Sequence, residues 1–188
     1  MSHLPPSKDL TCIGGVLSSG LRGWLCGYDQ RFDEMKEDER VSDLTTTNST
    51  TIEAPIEDVW KALTTPDQIK RWFFGVDTET DWKVGSPLIH RGEYQWKPYE
   101  DKGEIIRFDP PNLLVHTHWS DLSGMPDDPE HYQEVSWALT EREGATDLTI
   151  SERNLPSEET KAVSEKGWKT VLESLRSMLE GGEGTSAE

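Results

Sequence analysis

The chain has 188 residues, with 19 Lys and Arg against 36 Asp and Glu for a formal charge of −17, and only two Cys. A chain of this length closes around one core that needs neither disulfide nor metal to hold it. Its charge repels nucleic-acid phosphates and anionic lipid surfaces, so neither nucleic acid nor membrane is expected as a partner, and no run approaches the roughly 18 apolar residues of a membrane span.

Residues 1–40 hold both cysteines, Cys12 and Cys26, and a Gly/Ser-rich stretch from Gly14 to Gly23, and they show no sustained periodicity. They are expected to form a poorly ordered extension that folding does not need. The mildly apolar stretch from Leu10 to Tyr28 is interrupted by Arg22 and followed by no small-residue cleavage site, which argues against a secretory signal. Met35 offers an alternative translation start. With no cysteine after Cys26, the folded part suits a reducing cytoplasm.

From Val41 the pattern becomes regular. The Thr-rich stretch Val41 to Glu53 reads as a first strand. Pro55 suits a first helical position, and Ile56, Val59, Trp60 and Leu63 follow at i, i+3, i+4 and i+7, the stripe of a short helix with Trp60 in the core. Thr65-Pro66-Asp67-Gln68 has the hydroxyl and the Gln of a capping box opening a second short helix, with Ile69, Trp72 and Phe73 as its stripe and Gly75 as its end. Five to six strands follow as a meander. They include Leu88 to Tyr94 after Gly85-Ser86-Pro87, Gly103 to Phe108, Leu113 to Trp119 after the turn Asp109-Pro110-Pro111-Asn112, and a hairpin of Tyr132 to Thr140 and Thr146 to Glu152 around Arg142-Glu143-Gly144. Ser157 caps a long helix whose apolar face is Trp168, Val171, Leu172, Leu175, Met178 and Leu179, and Gly181-Gly182 stops it, leaving 181–188 as a disordered tail. Gly167 costs that helix about 1 kcal/mol relative to Ala, so it is expected to permit close approach to sheet or ligand.

Three segments in this order resemble a known family. Ala54, Pro55, Val59, Trp60, Leu63, Pro66 and Trp72, then Gly103, Pro110, Pro111 and Leu114, then Gly167, Trp168, Leu172 and Leu175 look like the activators of the heat-shock-protein-90 ATPase homologues, within the START-like (SRPBCC) superfamily. The resemblance covers about residues 45–180. It implies an α+β helix-grip fold, a curved antiparallel sheet wrapped around the C-terminal helix with two short helices after the first strand, in a single START-like domain over 41–180. Met1 to Arg40 carries no Asn- and Trp-rich motif of the kind found in the additional N-terminal domain of the eukaryotic co-chaperone.

Familiar catalytic signatures are absent from the sequence: no Gly-x-Ser-x-Gly, phosphate loop, His-Glu-x-x-His or Cys-x-x-Cys. Asp77-Thr78-Glu79-Thr80-Asp81 has the acid spacing of a calcium loop, but Trp82 stands where Gly is required and Leu88 where a bidentate Glu belongs, so a solvated strand edge is expected. His116 and His118 alternate onto one strand face about 7 Å apart. Without a third ligand fixed by spacing they read as a cavity wall or an outer face rather than a metal site, and His90 and His131 could join them only through the fold. No cofactor and no catalytic residue is assigned.

The resemblance implies a cavity between sheet and helix, and the residues placed around it are Trp72, Phe73, Tyr94, His118, Trp119, Trp137, Gly167, Trp168 and Leu172. The function expected is binding of a small hydrophobic or aromatic ligand there. The alternatives are a chaperone-linked interaction module and a polyketide-cyclase-like enzyme using a residue such as His118 or Tyr94. A filled interior would favour the module, and a hollow lined by paired polar groups the enzyme.

Overall fold

The computed structural model describes residues 44–181, so residues 1–40 and the tail beyond Gly181 lie outside the described residues. The elements run β1 (Thr45–Ile52), α1 (Ile56–Thr64), α2 (Pro66–Trp72), β2 (Asp77–Glu79), β3 (Pro87–Tyr94), β4 (Lys97–Asp109), β5 (Leu113–Ser120), β6 (Gln133–Arg142), β7 (Ala145–Arg153) and α3 (Glu158–Leu179). The seven strands among the described residues form one antiparallel sheet in the order β1-β7-β6-β5-β4-β3-β2. The chain thus makes a meander from β2 to β7 and brings the first strand back beside the last. This is the helix-grip fold, with α3 lying on the sheet.

The core follows from period-two burial in the strands and the stripes of the helices. Ile52, Ile105, Val135, Leu148 and Ile150 point inward against Val171, Leu172 and Leu175 of α3, and Val59, Trp60 and Leu63 of α1 with Ile69 and Trp72 of α2 close the end. Trp60 is buried with its ring 5.3 Å from Phe108. No described helix is long and apolar enough to cross a membrane.

Several local expectations are corrected. Pro55 is the N-cap of α1 rather than its first residue. The capping box at Thr65 does not form, because no side chain caps α2; its first turn is instead organised by Pro66 and by the Gln68 and Ile69 amides donating to the Thr65 carbonyl. The α3 cap does form, the Ser157 hydroxyl accepting from the Thr160 amide at 3.1 Å. Two glycines separate the sheet from the helix in meaning. A Cβ on Gly103 would stand 1.7 Å from the Thr117 carbonyl oxygen, so only glycine lets β4 and β5 approach there. Gly167 meets nothing within 4 Å and faces solvent, so the close approach expected of it is absent.

Candidate functional site

Where α2 meets the concave face of the sheet, ten residues enclose a cleft: Leu63, Ile69, Trp72, Phe73, Trp82, Leu88, His90, Leu114, His116 and Trp137. Seven are buried, and half-buried Phe73, Trp82 and His90 form its solvent side. Its free volume is about 30 Å³, room for one or two waters, so the interior is largely filled by side chains. Two aromatic rows flank it. One runs Phe73, Trp72, Trp137 and Trp168 with successive ring centroids 5.3, 6.0 and 5.4 Å apart; the other runs Trp82, Phe108 and Trp60 at 6.0 and 5.3 Å. In the first row the indole N–H groups find acceptors, Trp72 donating to the Ala62 carbonyl at 2.9 Å and Trp137 to His116 Nε2 at 3.2 Å.

The polar groups of the cleft are imidazoles. In His116, Nδ1 meets the Thr117 carbonyl oxygen at 2.9 Å and must donate to it, while Nε2 accepts from Trp137. Those partners assign the neutral Nδ1–H tautomer. Burial, with the charges of His118 and His90, lowers its pKa to about 3 against the pull of the Thr117 carbonyl. His90 hydrogen-bonds the Thr78 hydroxyl at 2.9 Å, stands edge-on to Phe73, and is lowered to about 4, mainly by burial.

One pleat further along the same face, His118 Nε2 lies 3.6 Å from Asp101 Oδ2, an ion pair rather than a hydrogen bond. Burial works against protonation of His118, but Asp101 beside it, with Glu152 and Gln133, outweighs that and raises its pKa. Glu152, also buried, accepts from the Trp168 indole at 2.7 Å and from the Ser164 hydroxyl, tying β7 to the N-terminal half of α3. Among the described residues no group of three or more His, Cys, Asp or Glu could hold a metal ion.

Of the residues placed around the cavity from the sequence, Trp72, Phe73 and Trp137 line the cleft, and Trp168 backs it through Trp137. His118 lies on the same face. Leu172 is buried in the closed core rather than on the cleft wall. Tyr94 ends β3 at an exposed hairpin, about 13 Å along the strand from His90, so it does not join His118. Trp119 has the parity opposite to His116 and His118 and lies on the convex face, stacked on Tyr132, donating to the Pro126 carbonyl at 3.0 Å, with Lys102 above its ring. Gly167 is on the solvent side of α3.

Sequence reasoning missed Trp82, Asp101 and Glu152 as members of the site and could not place His90. Asp101 is found by register: β4 begins at Lys97, so Asp101 falls opposite His90. The two-residue turn that sets this register, Gln95-Trp96, has both residues at positive φ (50° and 64°) without the usual Asn or Gly, and Pro98 argues against a strand. No turn signal announced it.

A curved antiparallel sheet gripping a long C-terminal helix, with an aromatic cleft beneath two short helices, defines the helix-grip class of START-like proteins. A family model described as Activator of Hsp90 ATPase homolog 1-like protein matches residues 53–180, and the chain belongs to that family. A protein of Cytophaga hutchinsonii solved in solution is 40% identical, with 73% of this chain and 94% of that one covered at a TM-score of 0.65. CalU16 from Micromonospora echinospora is 26% identical over 73% of this chain and 74% of that one, TM-score 0.58. The Aha1 dimer from Colwellia psychrerythraea, 23% identical over 75% and 99%, shares the fold at a TM-score of 0.61. No curated protein matches the chain.

Proposed function

We propose that the interior of the helix grip binds a small hydrophobic or aromatic molecule beneath α2. The observation that carries this reading is the composition of the cleft, apolar and aromatic walls with two neutral imidazoles converging on it, which is the pattern of a small-molecule site. Because the free space is about 30 Å³, binding requires Phe73 and Trp82 to turn outward. Both are half-buried, and Trp82 sits on the loop between β2 and β3 at φ 54°. Rotamer changes of this kind are common on binding. A cytoplasmic setting belongs to the same proposal and rests on the cysteine-free stretch after Cys26.

A neutral environment-sensitive dye, N-phenyl-1-naphthylamine, tests the reading without interference from the negative charge. Saturable binding near one equivalent to the native protein, abolished by Leu114→Trp, is expected. One observation favours a second reading, a chaperone-linked interaction module: the cleft is nearly filled. Absence of native-state dye binding would transfer support to that module, whose exposed hairpin residue Trp96 (93% exposed) is then the first place to look for a partner.

A further inference from the structure

The concave face divides into an apolar half under the C-terminal part of α3 and a polar row at its other end, where β3, β4 and β5 place His90, Asp101 and His118 side by side. Asp101 is only 9% exposed. Of its two carboxylate oxygens, Oδ2 faces His118, whereas Oδ1 is buried and has no hydrogen-bond partner among the described residues. His118 is similar: Nε2 faces Asp101, and the buried Nδ1 makes no hydrogen bond of normal distance and angle, although the Gln133 side chain stands beside the ring. Most buried polar groups in folded proteins are paired, and an unpaired one costs about 1–3 kcal/mol. The neighbouring imidazoles do not share this condition, since His116 is bonded through both nitrogens and His90 through Nδ1. Of the five buried side-chain polar atoms without a hydrogen bond among the described residues, two thus belong to this one pair, one pleat (about 7 Å) from the cleft's imidazole floor.

We infer that the Asp101–His118 pair is the polar end of the ligand site and that it takes a neutral, planar molecule whose edge presents a hydrogen-bond donor beside an acceptor, as a primary amide or an enol next to a carbonyl does. The donor meets Asp101 Oδ1, and His118 Nδ1–H meets the acceptor. The assignment of Nδ1 as a donor agrees with the Asp101 carboxylate facing Nε2, which favours the ring with both nitrogens protonated and raises its pKa. A free carboxylate is disfavoured at this end, because Asp101 and buried Glu152 lie beside the position it would occupy. A molecule with an apolar body in the aromatic cleft and an amide-like edge at this pair satisfies both halves of the face. This inference rests on the binding reading above.

Two probes of matched shape separate it from that reading: 2-naphthamide, with donor and acceptor, and 2-acetylnaphthalene, in which a methyl replaces the amide nitrogen. Each is titrated at pH 6 against the full chain, with binding followed by tryptophan fluorescence. The amide is expected to bind about tenfold more tightly than the ketone, because the ketone leaves Asp101 Oδ1 unpaired. That ratio should fall to within about twofold in Asp101→Leu and in His118→Phe, each checked for native near-ultraviolet circular dichroism. The wild-type ratio decides the matter even if a variant does not fold. Equal binding of the two probes to the wild type overturns this inference and leaves the binding reading standing, as does a ratio that survives in a folded variant. Failure of both probes to bind overturns the two together.

Discussion

His116 is held neutral by its surroundings, buried, with one nitrogen donating to Thr117 and the other accepting from Trp137. His90, half-buried at the cleft's edge, is likewise held uncharged. Their folded pKa values, about 3 and about 4, lie below the ordinary 6.5, so below pH 6.5 the unfolded chain binds more protons and stability falls as the pH drops. Each is expected to withdraw about 2 kcal/mol by pH 5. His118 acts in the opposite sense: its raised pKa contributes stability that is complete below 6.5 and lost as pH rises through the folded value. Urea unfolding at pH 7 and pH 5 checks the sign. The double change His90→Gln and His116→Gln, which removes the titrating groups while keeping hydrogen-bonding side chains, should flatten the decline between them, and an undiminished decline would refute the assignment. At the same scale Gly103→Ala is expected to cost about 3 kcal/mol, since the added methyl meets backbone at Thr117 and not a movable side chain. A loss under about 1 kcal/mol by thermal unfolding would mean that β4 and β5 separate there without strain.

The elements divide by how they are held. The C-terminal half of α3 is fixed by apolar burial at Val171, Leu172 and Leu175, while its N-terminal half has exposed Val163 and Gly167 and is tied to the sheet through Glu152, which receives Ser164 and Trp168. Hydrogen bonds to a charged group contribute about 1.5–3 kcal/mol, so Glu152→Ala should speed amide exchange in 158–168 at least tenfold and leave 171–179 protected. Equal acceleration along the helix would show that the tether supports the whole element. Elements of this kind were legible in the sequence where burial has a period: the stripe through Trp60, the alternation through Trp137 and the α3 face all arise from one-sided packing and leave their mark on spacing. The site was less so. Parity narrows Leu114, His116 and His118 to one face of β5, but whether that face looks at α3 depends on pairing in the third dimension, which is why Trp119, expected at the cavity, lies on the other face. Gly167 misled because glycine in a helix has two meanings, close approach and mere tolerance, and residue type does not distinguish them.

At the scale of the molecule the charge of −17 acts as self-repulsion opposing the folded state. Ion pairs such as Lys70–Asp77 and Arg91 with Glu79 and Glu100 are surface contacts that recover little of it. Raising KCl from about 0.01 M to about 1 M shortens the screening length from roughly 30 Å to 3 Å, so the melting temperature is expected to rise by several degrees. A fall over that range would assign the net stabilisation to the ion pairs instead. The aromatic row beside the cleft carries one more property of the whole molecule. Trp72, Trp137 and Trp168 hold their indoles 6.0 and 5.4 Å apart at steep angles of 65° and 87°. Indole transition dipoles held this close couple to one another, so the folded chain has an optical signature that depends on how the three rings are held. A molecule that wedges Trp72 from Trp137 must change this signature, and the protein thereby reports its own occupancy without a label.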